Sequence, residues 1–225
     1  PGVVLFEVGR VVLPDTAGTG GAHHEPRQVA GVLTGLTSQS PWRSEQRPVD
    51  FLDLKGIVEQ LLLGVSAVTY APVETPLLRR GHAAMITIGD ADLGTIGQVA
   101  PHLTASFDLT HDTYIFELSC EALFAAWASR ATQFQPLAKF PPIERDLAIV
   151  LDDQVPAGQV ADEIRATAPE LVDDVRLFDV YSGDQVENGK RSLAFSVRLR
   201  SPDRTLEDGD ADSVIKRPCN AWKRL

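Results

Sequence analysis

Cysteine is scarce. Cys120 and Cys219 are the only two in 225 residues, too few for a disulfide framework and without the paired spacing of a zinc site. A reducing cytosol is the expected compartment. Long apolar runs are missing as well: a stretch such as Leu61-Leu62-Leu63 falls far short of the roughly 20 residues a membrane helix needs. Basic charge is in deficit, with 21 Lys and Arg against 31 Asp and Glu and a net charge of −10. That argues against indiscriminate phosphate binding but leaves room for a local basic face. There is no internal repeat, no low-complexity tract and no signal peptide. Val3-Val4-Leu5-Phe6 enters directly into a strand-like run, as expected of a piece cut from something longer. What is present is globular: 44% hydrophobic and 23% charged residues exclude disordered and fibrous classes. The length allows more than one average domain of about 150 residues.

Strands dominate the first part of the chain. Residues 3–13 and 28–36 are apolar and β-branched, and the segment 15–25 between them, with Gly18, Gly20, Gly21 and the His23-His24 pair, reads as a hairpin loop. Segment 41–48, with Trp42, is irregular. Asp50 stands at a helix N-cap position, followed by Phe51, Leu54, Ile57, Val58, Leu61 and Leu62 at helical spacing over 50–64. Strands are expected at 65–73, 83–89, 92–99 and 112–119, and short helices at 101–107 and 121–129. The pattern predicts an antiparallel sheet with helices on one side.

Near Gln135-Pro136 the pattern changes, and Pro141-Pro142 makes a stiff extended connector. Beyond it the order is a strand at 145–151, a helix at 157–168, strands at 172–181 and 192–200 joined by a turn at 183–189, and a weak helix at 207–216 that Pro218 should end. With room for a last strand at 220–225, this is the β-α-β-β-α(-β) order of a ferredoxin-like fold. The predicted class is α+β, with domains at 1–134 and 135–225.

Three ordered blocks carry a family resemblance. Lys139-Phe140-Pro141-Pro142-Ile143-Glu144-Arg145-Asp146-Leu147-Ala148-Ile149-Val150, then Leu177-Phe178-Asp179-Val180-Tyr181, then Gly189-Lys190-Arg191-Ser192-Leu193-Ala194-Phe195 with Arg204-Thr205-Leu206, resemble the ferredoxin-fold anticodon-binding domain of the bacterial phenylalanyl-tRNA synthetase beta subunit. Upstream, Leu5-Phe6-Glu7-Val8-Gly9 and Leu93-Gly94-Thr95-Ile96-Gly97 with Pro101 are similar to that subunit's catalytic-like module, a class II synthetase-like antiparallel sheet that has lost its chemistry. The resemblance implies a cytoplasmic ligase of two alpha and two beta subunits that joins phenylalanine to its tRNA with ATP and magnesium. It implies a fragment that contacts the alpha subunit and the anticodon region and holds no cofactor itself. The family's beta subunit is several-fold longer, and the tail after Leu206 is shorter than the family's usual helix and strand.

The residues agree with a silent module. Class II chemistry needs a pair of arginines to neutralise ATP's developing charge, whereas Arg79 and Arg80 stand before a loop-like Gly81, and no arginine follows Gly94 to Gly97. No ATP–pyrophosphate exchange is expected from this chain alone. Gly18, Gly20 and Gly21 lack the lysine and hydroxyl residue of a phosphate loop, His82, His102 and His111 are scattered, no metal set is visible, and Cys120 reads as a small buried hydrophobe.

The stretch 190–204 departs from the acidic average, with Lys190, Arg191, Arg198, Arg200 and Arg204 against Asp203. Strand alternation puts Leu193, Phe195, Val197 and Leu199 on one face and Ser192, Ala194, Ser196, Arg198 and Arg200 on the other. The same rule puts Leu147, Ile149 and Leu151 inside and Ala148 outside, and Phe178 and Val180 inside with Asp179 and Tyr181 outside. The open face then offers Tyr181 to stack a splayed base, small Ala148 and Ser192 for close approach, and Arg198 and Arg200 for phosphates. By pattern alone these residues read more readily as ordinary exposed strand positions. The resemblance implies the anticodon pocket at Tyr181, Ala148 and Ser192. The alternative is an assembly module whose ferredoxin-like domain binds protein and no RNA. The balance of 13 basic against 17 acidic residues over 138–225 leans that way.

Overall fold

The computed structural model describes residues 2–14, 23–37, 46–128, 138–183 and 186–222, with side chains through residue 215. The irregular segment around Trp42, the Gly18–Gly21 loop, the connector at Gln135-Pro136 and residues 223–225 lie wholly or largely outside the described residues. Contacts divide the chain into two units, Pro1–Gln133 and Phe134–Leu225. Both are built on antiparallel sheets, so the α+β class expected from the strand and helix order holds.

Unit 1 contains β1 (Val3–Arg10), β2 (Leu13–Pro14), β3 (His23–His24), β4 (Arg27–Thr34), α1 (Phe51–Leu61), β5 (Val68–Pro72), β6 (Leu78–Ile88), β7 (Ala91–Val99), α2 (Pro101–Ser106), β8 (Thr113–Ser119) and α3 (Cys120–Ala128). Six of the strands form one sheet in the order β1-β4-β8-β7-β6-β5, and β2 pairs with β3 as the foot of the hairpin. The helix start at Asp50 is a reciprocal cap. Its carboxylate accepts from the Leu52 and Asp53 amides at 2.8 and 3.0 Å, and the Asp53 carboxylate accepts from the Asp50 amide at 2.9 Å, satisfying N–H groups that would otherwise be orphaned. The Arg47 guanidinium, bonded to both Asp53 oxygens at 2.7 Å, holds that carboxyl below the usual carboxylate range. Leu54, Val58 and Leu62 then bury against Ile86, Ile96, Phe116 and Leu118.

Two differences from the sequence reading have local causes. β6 begins at Leu78, ahead of the expected residue 83, and Gly81 lies inside it at φ +75 where the register shifts between Leu78 and Ala83. A bulge at glycine looks like a loop in sequence. The Leu93-to-Gly97 motif also has a packing role. A Cβ at Gly94, which sits at φ +153, would collide with the Glu117 carbonyl oxygen, and one at Gly97 would stand 2.7 Å from the His82 carbonyl oxygen.

Unit 2 contains β9 (Ile143–Asp152), α4 (Ala157–Thr167), β10 (Val172–Tyr181), β11 (Lys190–Leu199) and α5 (Asp208–Trp222). The sheet order is β10-β11-β9, the ferredoxin-like arrangement with its first strand beside its third. α5 does not end at Pro218. It runs on to Trp222, so residues 220–222 are helical where a last strand was expected. A proline removes one N–H from the helical ladder, but the turns on either side keep theirs.

The start of α5 is tied down by charge. Arg204 makes a two-pronged contact to Asp210 at 2.7 and 2.8 Å, the Glu207 amide donates to the same carboxylate at 2.9 Å, and Arg145 reaches Asp208. The Arg204 contact and the amide bond pull the Asp210 carboxyl from 3.8 down to about 2. Because the folded value lies below the unfolded one, the stabilisation is complete above about pH 4 and is lost as pH falls towards 2. Thermal melts at pH 4 and pH 2 should therefore show a smaller drop in Tm for Asp210→Asn than for the parent chain, and equal drops would refute this linkage.

Candidate nucleic-acid interface

The helices α4 and α5 cover only one face of the β10-β11-β9 sheet. Leu147 and Ile149 of β9, Val175 of β10 and Leu193, Phe195, Val197 and Leu199 of β11 point into that core with Val160, Ile164, Ala211 and Val214. The alternation expected on β9 and β11 is thus observed. Their other face carries Val150, Ala148, Asp146 and Glu144 opposite Ser192, Ala194, Ser196 and Arg198, and the pairing extends to Tyr181, Asp179, Arg176 and Asp174 of β10.

The inward placement expected for Phe178 is wrong, and Val180, though on the core side of the sheet, is not covered. They are 53% and 48% exposed. The pairing of β10 with β11 slips between Leu177, opposite Phe195, and Asp179, opposite Ala194. Phe178 is the extra residue of this bulge and turns onto the open face. Val180 stays opposite the buried Leu193 but is left uncovered. A one-residue slip reverses every later position.

Tyr181 is 42% exposed and in direct register with Ser192, and the outer end of its ring lies over Gly183, where an added Cβ would collide with the phenol. Ala148 is one row further along and two strands away, opposite Ala194, whereas Val150 occupies the position opposite Ser192. The structure therefore brings Tyr181 and Ser192 into contact range and sets Ala148 on a diagonal. The centre of the face is a floor of small side chains, Ser192, Ala194, Ser196 and Ala148, rimmed by Tyr181 and Phe178. That geometry lets a flat base approach the backbone and lie against an aromatic ring.

Arg198 and Arg200 are not free cations. Asp173 accepts from Arg198 Nε at 2.8 Å and stands 3.6 Å from Arg200 Nη2. A phosphate would have to displace that carboxylate. A charge count along one strand misses Asp173, which is supplied by β10 across the register.

Unit 1 presents a different kind of surface. Its edge strand β1 leaves Val4, Leu5, Phe6 and Val8 between 57% and 78% exposed. Beside it lies an apolar cavity of about 330 Å³ whose lining includes Ile57 and Leu61 of α1 and Phe124 and Trp127 of α3. Leu52 and Leu63 of α1 and its C-cap turn are 69% and 73% exposed. Together these side chains form an exposed apolar patch, and β1 supplies most of it. Cys120 is buried against this region, and burial pushes its thiol up, keeping it protonated. Arg79 donates to the Gln98 carboxamide at 3.3 Å and Arg80 is paired with Glu74 at 2.8 Å. Among the described residues no cluster of three or more His, Cys, Asp or Glu is placed to hold a metal, and no helix is long and apolar enough to cross a membrane.

Comparison with known proteins assigns both units. The sequence model described as the ferredoxin-fold anticodon binding domain matches residues 138–224, which places unit 2 in that domain class. The model described as the phenylalanyl tRNA synthetase beta chain CLM domain matches residues 1–120, and the chain belongs to the phenylalanyl-tRNA synthetase beta chain family. It is 39% identical over 221 residues to the phenylalanine–tRNA ligase beta subunit of Geobacillus kaustophilus, covering 96% of this chain and 27% of the relative. The corresponding subunit of Vibrio cholerae is 36% identical over 219 residues, covering 96% and 27%. That of Dehalococcoides mccartyi is 37% identical over 216 residues, covering 95% and 26%. The chain spans about a quarter of the length of these relatives.

Proposed function

We propose that unit 2 binds the anticodon region of phenylalanine tRNA, and that the chain does so as part of a cytoplasmic phenylalanine–tRNA ligase. The observation that carries this is the half-exposed Tyr181 in register with Ser192 on the uncovered sheet face. The proposed interface is Tyr181, Ser192 and, on the diagonal, Ala148. The two arginines held by Asp173 are left out of it.

ATP and magnesium would supply acyl activation in the intact enzyme, at a site contributed by the alpha subunit. Within this chain Arg79 and Arg80 are already engaged by Gln98 and Glu74, which does not make a phosphate cradle. The exposed apolar strand β1 with Ile57 and Leu61 is the surface proposed for the alpha subunit, since solvated patches of this kind mark protein contacts. The proposed assembly surface is on unit 1 and the proposed stacking face on unit 2.

The test is competition against phenylalanine tRNA on the assembled enzyme at low salt. A hairpin with the native anticodon loop should displace the tRNA, and one with the same stem and a scrambled loop should not. Equal competition by both, or by neither, would refute anticodon recognition.

A further inference from the structure

The structure points to a second base-stacking subsite, centred on Phe178, that we infer takes an unpaired RNA base bearing an amino group. This deepens the anticodon reading and rests on it. Phe178 is held out of the core by the bulge between Leu177 and Asp179 and is 53% exposed. A phenylalanine in solvent forfeits the gain of burial, and bulges of this kind commonly re-aim a side chain beside a functional site.

The ring borders an open recess of about 390 Å³ whose walls are polar. Among the described residues, the carboxylates of Glu144, Asp146 and Asp174 and the guanidinium of Arg176 there have neither hydrogen-bond nor ion-pair partners, and Arg198 is held by Asp173. The surplus of carboxylates repels a phosphate, so the RNA backbone is not what fits. A base edge does fit. An exocyclic amine donates to a carboxylate, Arg176 donates to a ring nitrogen or oxygen, and the π-face lies on Phe178. Adenine, cytosine and guanine meet this requirement, whereas uracil has no amine. The floor beneath is Ser196, small enough for close approach.

The experiment uses the assembled enzyme and the anticodon stem-loop, with each loop nucleotide made abasic in turn. Phe178→Ala should weaken binding of the intact hairpin roughly 5- to 150-fold, the range for loss of one stacked base. Phe178→Tyr should retain affinity. The Phe178→Ala effect should vanish on one abasic hairpin only, at a nucleotide different from the one coupled to Tyr181→Ala. Phe178→Leu, which keeps apolar bulk without a π-face, should behave like Phe178→Ala and serves if the alanine variant unfolds.

Unchanged affinity in the Phe178 variants while Tyr181→Ala weakens binding would overturn the second subsite and leave the Tyr181 reading standing. Indifference to both substitutions would overturn the anticodon reading itself. A Phe178 effect equal on all abasic hairpins, or a loss of subunit assembly seen by sedimentation, would assign Phe178 to another contact and overturn the proposal.

Discussion

Phe195→Ala should remove about 3–5 kcal/mol from the stability of unit 2, measured as a lower urea midpoint at unchanged slope. Phe195 is fully buried on the central strand, with Leu177 and Leu147 opposite it on the two neighbouring strands. Among the described residues it is also the largest of the side chains that are completely enclosed. Deleting the ring leaves a cavity that strands paired on both sides cannot collapse to fill. Domains of this size are stable by about 5–15 kcal/mol in total, so the loss takes a large share. The consequence reaches the interface, because Ala194 and Ser196 of the small-residue floor flank Phe195 on the same strand. Near the midpoint, RNA binding should fall in step with unfolding. A loss below about 1 kcal/mol would mean that this strand is not the keystone of the unit.

The sequence was informative where the physical pattern is simple. On β11 Leu193, Phe195, Val197 and Leu199 recur at every second position, and on β9 so do Leu147, Ile149 and Leu151, so period two separates Leu147 and Phe195 from Ala148 and Ser192. The cap at Asp50 was legible because its donors and acceptors lie within three residues. β10 is less legible, because a bulge leaves no mark in composition, so alternation puts Phe178 on the wrong side and gives no sign that Val180 is left uncovered. Proline's large local penalty makes Pro218 look like a stop, yet the helix tolerates one missing N–H. Counting charge on their own strand offers Arg198 and Arg200 as phosphate contacts, and their partner Asp173 is remote in sequence and adjacent across the sheet. The motif around Gly94 is legible in sequence only as a likeness, and its physical reason is the closeness of the β8 backbone. At the interface, alternation puts Tyr181, Ser192 and Ala148 on one face, whereas the direct register of Tyr181 with Ser192 and the diagonal position of Ala148 are fixed only by folding.

The central claim is that the uncovered face of unit 2 holds an anticodon base against Tyr181. Removing the ring should weaken tRNA binding by about 1–3 kcal/mol, the contribution typical of one stacked base. Tyr181 is 42% exposed, so its loss opens no core cavity and Tm should change little. Because the surroundings are acidic, few counterions are released on binding there, and the loss should be nearly the same at low and moderate salt. The most direct measurement is the tRNA dissociation constant of the assembled enzyme with Tyr181→Ala and Tyr181→Phe, each checked for an unchanged melting temperature. The account predicts a roughly 5- to 150-fold weaker Tyr181→Ala complex and near-parental binding by Tyr181→Phe. Parental binding and aminoacylation by a folded Tyr181→Ala enzyme would contradict it.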